Sequence, residues 1–71
     1  MKFRKFANWC NERASDGKWD LQMAIHGLSI VENIYSGPLY KRRKLWKKYE
    51  AEAIKIIEKY NKIMEGQNDN I

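Results

Sequence analysis

The stretch Leu45–Met64, LWKKYEAEAIKIIEKYNKIM, sets Trp46, Tyr49, Ala53, Ile56, Tyr60 and Ile63 at intervals of 3-4-3-4-3. That spacing returns to one side of an α-helix every second turn and is the a/d pattern of a coiled-coil seam. Leu45, Ile57 and Met64 widen the stripe, and Glu58 and Lys62 support the opposite face as an i,i+4 pair. Pro38 suits a first helical position and Gly66 a stop, so this helix is expected over 38–65. The residues after Gly66 read as a disordered tail, 67–71.

Working outward from this seam, Gly37-Pro38 and Gly17 divide the rest of the chain into two shorter helical segments. A first helix is expected over 2–14, where Phe3, Phe6, Cys10 and Arg13 recur at 3-4-3 and Trp9 broadens the stripe. A second is expected over 18–35 and carries two apolar stripes. One is Leu21, Ala24, Ile25, Leu28, Val31 and Tyr35; the other is Met23, Gly27, Ile30 and Ile34. A helix apolar on two faces is expected to be covered on both, which makes it the central element. Its remaining stripe, Gln22, His26, Ser29 and Asn33, is polar and reads as solvent-facing. Gly27 costs about 1 kcal/mol in a helix interior, and close approach of a neighbouring helix accounts for it.

These segments make residues 1–66 one all-α domain of three helices, two shorter and one long and basic. At 1.5 Å per residue the third helix spans roughly 42 Å against roughly 27 and 20 Å for its partners. About 15 Å of apolar seam is left over, and a second chain covering it through Tyr49, Ala53, Ile56, Tyr60 and Ile63 gives a helical homodimer.

The net charge of +5 comes from 14 Lys and Arg against 9 Asp and Glu in 71 residues. Its distribution is uneven: +1 over residues 1–40, +6 over 41–48 and −2 over 49–71. The window KRRKLWKK thus holds the whole excess at the start of the long helix, where cations oppose the helix dipole. Aromatic residues interleave it. Lys41, Arg42, Arg43, Lys44, Trp46, Lys47 and Lys48 are therefore the expected contact residues for nucleic acid, a nucleotide or an acidic protein surface. A helix-turn-helix reader is disfavoured, because Leu39 and Tyr40 stand where base-reading polar residues would be needed and the helix is too long.

Enzyme chemistry is not expected. Phosphate-binding Gly loops, metal-ligand clusters, paired carboxylates and nucleophile elbows are all missing from the sequence, so neither cofactor nor metal is implied. Cys10 is the single cysteine, which excludes an internal disulfide, and it reads as a small apolar core residue. The basic start lacks the apolar run of a secretory signal, and no run approaches the roughly 18 residues of a membrane span. A cytoplasmic protein is expected.

The least generic text is the run Trp9–Trp19, WCNERASDGKW. Two Trp bracket a polar segment, which reads as a capped helix end. Trp9, Asn11, Arg13 and Trp19 are the residues of a second partner surface, since Trp and Arg are common interface anchors. With Phe3 and Phe6 the run becomes F-x-x-F-x-x-W-C-N-E-R-A-x-D-G-x-W. It resembles the opening of short phage- and prophage-encoded proteins of unassigned function. That resemblance covers residues 3–19 and carries no catalytic residues. It implies a bacterial host cell as the setting and an inhibitor of host machinery as the role. The expected partner is a host defence protein or ribonucleoprotein, with the anti-CRISPR class as the specific form. A nucleic-acid- or nucleotide-binding accessory protein and an assembly protein acting through the seam are the competing readings.

Overall fold

The computed structural model describes residues 1–69, with side chains described through residue 66. Three helices follow one another: α1 (Phe3–Asp16), α2 (Leu21–Tyr35) and α3 (Arg42–Asp69), with one 3-10 turn, Leu39–Lys41, leading into α3. The chain is an all-α, three-helix domain.

Local chemistry fixes the boundaries. Gly17 ends α1 in the left-handed region at φ 65°, where its N–H donates to the Arg13 carbonyl at 3.0 Å. The Asp16 carboxylate accepts from the Lys18 N–H and from Arg13 Nε, both at 3.0 Å, and this braces the turn. Asp20 then caps α2, accepting from the Met23 N–H at 2.8 Å. Helix α2 therefore begins at Leu21 rather than at residue 18, because Gly17 to Asp20 are spent on the reversal and the cap. Replacing Asp20 by Ala is expected to cost about 1 kcal/mol, read as a lower midpoint in thermal denaturation.

The start of α3 is also later than residue 38. Pro38 is extended, at φ −67° and ψ 149°, and a 3-10 turn closes with the Lys41 N–H on the Pro38 carbonyl. The far end differs too, since α3 runs through Gly66 to Asp69. Gly66 does not adopt a positive φ, and an exposed glycine weakens a helix without ending it. Of the expected tail, 67–69 thus continue α3, and residues 70 and 71 lie outside the described residues.

Contacts give the topology. Phe3 and Phe6 meet Trp46, while Trp9 meets Tyr60, so α1 and α3 run parallel and in contact, with α2 antiparallel against both. The buried core takes Phe6, Ala7 and Cys10 from α1, Met23, Ile30 and Ile34 from α2, and Trp46, Ala53, Ile56 and Tyr60 from α3. Aromatic rings form its spine: Phe6 stacks between Trp9 and Trp46, and Trp19 meets Trp9 edge-on. Gly27 is needed for this packing, since a Cβ there would stand 3.2 Å from the Trp19 ring and 3.4 Å from Cys10 Sγ.

Two expectations are corrected here. The α3 seam is not free for a second chain, because Ala53, Ile56 and Tyr60 are buried within the monomer and Tyr49 packs against the core; Ile63 alone stays open, at 42% exposure. The second correction concerns α2, which is not covered on both sides. Its Met23-Gly27-Ile30-Ile34 stripe is buried, while Leu21 and Ile25 of the other stripe are 75% and 62% exposed. One antiparallel helix cannot be enclosed by two neighbours that both sit on the same side of it.

The length mismatch does appear in the shape, which measures 47 × 20 × 17 Å. The last core residue of α3 is Tyr60, so its final turns project beyond the bundle. No described helix is long and apolar enough to cross a membrane.

Candidate anion-binding pole

Because α1 and α3 run parallel, both helix N-termini lie at one end of the molecule. Neither has an acidic residue in its first turn, and Lys2 at the head of α1 provides no side-chain cap. The positive ends of two helix dipoles therefore point the same way without internal compensation. Around them the chain sets Lys2 from its start and Arg42, Arg43 and Lys47 from α3. The sequence separates these groups by about forty positions, and the parallel arrangement gathers them.

An open cleft of about 570 Å³ lies between the two helix starts. Lys2, Arg42, Arg43 and Lys47 supply its cations, Phe3 and Trp46 its apolar floor, and Glu50 its one acid. Glu50 is engaged by the Met1 amine at 3.1 Å, which leaves the side-chain cations without an opposing carboxylate inside the cleft. The Arg42 guanidinium lies 4.9 Å over the Tyr35 ring, and its Nε is buried with no hydrogen-bond acceptor among the described residues.

The expected basic set is thus divided. Arg42, Arg43 and Lys47 line the cleft; Lys41, Lys44 and Lys48 are exposed on other faces of the same helix start. Lys41 Nζ lies over its neighbour Tyr40, and Lys48 Nζ over Tyr49. Trp46 is no exposed anchor. It is buried and donates its indole N–H to the Met1 carbonyl at 2.8 Å. The most exposed aromatic at this end is instead Tyr40, 82% exposed in the 3-10 turn, followed by Tyr35 at 52%. Lys2 is the member that sequence reading missed. Its signal was the basic start of the chain, which gains meaning only once α1 is known to lie parallel to α3.

The second expected surface is occupied by internal packing. Trp9 and Trp19 lie against the core, and the Arg13 guanidinium sits between two rings, 5.7 Å from Trp9 and 5.2 Å from Tyr60. Asp16 and Glu12 hold Arg13 in place at 3.0 and 3.7 Å. Asn11 alone of the four is exposed to solvent. Of the eleven fixed letters of the distinctive opening, Phe3, Phe6, Trp9, Cys10, Arg13, Asp16, Gly17 and Trp19 have a packing or capping role, while Asn11, Glu12 and Ala14 are exposed. The pattern is chiefly a signature of how α1 docks and turns.

Cys10 is enclosed by the core, and burial pushes its thiol up from 9.0 to about 12. The folded chain therefore keeps the neutral thiol where the unfolded chain has lost it. The stability from this group is intact below pH 9 and falls away as the pH rises toward 12. Native protein is expected to resist a thiol-specific disulfide reagent at pH 8 and to react stoichiometrically once denatured; quick labelling of the native chain would contradict the burial. His26 lies elsewhere, 3.3 Å from Glu52 on α3 and open to solvent, and forms no pair with Cys10.

No family model, curated protein or solved structure matches this chain.

Proposed function

We propose that the chain is a small, non-enzymatic binding protein whose basic pole engages the exposed nucleic acid of a host nucleoprotein and thereby inhibits it. The observation that carries this reading is the convergence of two helix N-termini, neither with an acidic residue in its first turn, with Lys2, Arg42, Arg43 and Lys47 around one cleft. Cations at helix starts oppose the dipole, so the arrangement works against the stability of the free protein and in favour of a bound anion. Backbone phosphates satisfy both the dipoles and the side chains, and displaced counterions drive the association.

Tyr40 favours unpaired strands over duplex. It is a freely accessible ring beside Lys41 and Arg42, the combination that stacks a base while cations hold the neighbouring phosphates. A ribonucleoprotein with an accessible guide or loop fits this chemistry, and the resemblance to phage proteins makes an anti-CRISPR or other anti-defence role the specific form, acting in the cytoplasm of a bacterial host. Affinity capture from a defence-encoding host, with and without nuclease, tests it. One stoichiometric nucleoprotein partner, weakened by nuclease, is the expected result. Recovery of bulk nucleic acid with no defined protein would favour a nucleic-acid-binding accessory role instead.

Tyr40→Ala is expected to weaken binding of a single-stranded oligonucleotide by roughly 1–3 kcal/mol, with little change for duplex, in paired titrations. Equal losses on both substrates would remove the stacking role.

A further inference from the structure

The exposed stripe of α2 has a register of its own. Leu21, Ile25 and Leu28 follow 4-3 spacing on the side turned away from Met23, Gly27, Ile30 and Ile34, and are 75%, 62% and 41% exposed. From Leu21 to Val31 the helix contains no Asp, Glu, Lys or Arg. The polyanion-attracting groups are at the other end of α2, so this face calls for an apolar, uncharged occupant.

We propose that the occupant is a second copy of this chain, packed antiparallel along α2 about a twofold axis beside Ile25. In that register Leu21 lies against the partner's Leu28 on either side of the axis. Ile25 lies against the partner's Ile25 at the axis. The flanking charges agree with this order. Lys18, in the turn that leads into α2, and Glu32, near the end of the helix, flank the patch on either side of Ile25, both exposed and without an ion-pair partner among the described residues. Antiparallel pairing brings Lys18 to the partner's Glu32 at both ends of the contact. Parallel pairing would set Lys against Lys and Glu against Glu, and would bring two basic poles together.

The antiparallel order instead places the basic poles at opposite ends of a contact about 22 Å long, well beyond a Debye length of about 8 Å. A single helix face covers less than the roughly 800 Å² per partner of a standard interface, so the dimer exchanges reversibly with monomer. Two outward-facing poles give the pair two attachment points on one extended polyanion. The pairing itself holds whether or not the pole binds nucleic acid.

Sedimentation equilibrium of the full chain, from micromolar to millimolar concentration, is expected to show a monomer–dimer equilibrium. Ile25→Glu abolishes the dimer and leaves the thermal midpoint of the monomer unchanged, whereas Ile63→Glu on the α3 overhang leaves the dimer intact. Lys18→Glu weakens association several-fold, and adding Glu32→Lys restores it. Under mild oxidation Ile25→Cys cross-links two chains and Leu21→Cys does not. A monomer at every concentration, a dimer that survives Ile25→Glu, or cross-linking through Leu21→Cys as readily as through Ile25→Cys would overturn the proposal.

Discussion

Reversal of Arg43 and Lys47 to Glu is expected to weaken binding of single-stranded nucleic acid by roughly 30-fold and to leave the fold intact. Both side chains are exposed and line the cleft beside Lys2, and neither forms an ion pair among the described residues. Two solvent-exposed phosphate contacts at about 1 kcal/mol each amount to about 2 kcal/mol, which sets that factor. The salt dependence sharpens the result. Each phosphate contact on a single strand contributes about 0.7 to the log–log slope, so the double variant should lower it by about 1.4.

Stability is expected to move the opposite way. Acids in the first turns of α3 interact favourably with the helix dipole that Arg43 and Lys47 oppose, so the variant should melt at or slightly above the parent temperature. A loss of binding with no loss of stability separates a functional surface from a structural one. Unchanged affinity and slope would show that the cleft is not where phosphates bind. Reversing Lys59 and Lys62, exposed on α3 far from the pole, is the matched control. Arg42 makes a poorer probe despite its position, because its guanidinium also covers Tyr35 and its removal would disturb packing.

Truncation of Phe6 to Ala is expected to abolish cooperative folding. Phe6 is fully buried and stacks on both Trp9 and Trp46, so its ring is the joint between α1 and α3. Removing a buried Phe costs about 3–5 kcal/mol, while at about 0.05–0.15 kcal/mol per residue a chain of this size holds about 4–10 kcal/mol in all. Far-ultraviolet circular dichroism should show a broad, low-temperature transition, and the near-ultraviolet Trp signal should largely vanish. Phe6→Leu, which keeps most of the volume, is expected to retain a cooperative melt. Should Phe6→Ala melt within a few degrees of the parent, the aromatic stack would not be what holds α1 in place. The same variant should lose nucleic-acid binding, because undocking α1 removes Lys2 from the cleft.

The elements were legible in the sequence because their determinants are local. Gly17 ends α1 through its own backbone freedom, and the 3-4-3 recurrence of Phe3, Phe6 and Cys10 marks the buried face without reference to any neighbour. Boundaries were less legible where two signals compete. Asp20 serves as a cap only because Gly17 and Asp16 have already reversed the chain, and Pro38 precedes a 3-10 turn rather than opening the helix. Gly66 carried a stop signal that nothing else in its surroundings reinforced.

The functional residues divide along the same line. Arg43 and Lys47 were visible as part of a dense basic window, since charge density is a property of the sequence. Trp46 was misassigned as an accessible anchor, because one aromatic stripe looks alike whether it faces solvent or a neighbouring helix. Trp9 and Arg13 were read as interface anchors for the same reason; their partner proved to be Tyr60 of the same chain.

By itself, then, the sequence determined the all-α character, the number of helices, the excess length of α3 and the confinement of charge to its start. Each follows from periodicity, local backbone preference or charge counting. Only the tertiary structure decided that α1 runs parallel to α3, which brings Lys2 to Arg43 and Lys47 and turns a charged window into a cleft. It also decided which of the two apolar stripes of α2 enters the core. Periodicity shows that a face is apolar but not what covers it, and a bundle of three helices has only one inside.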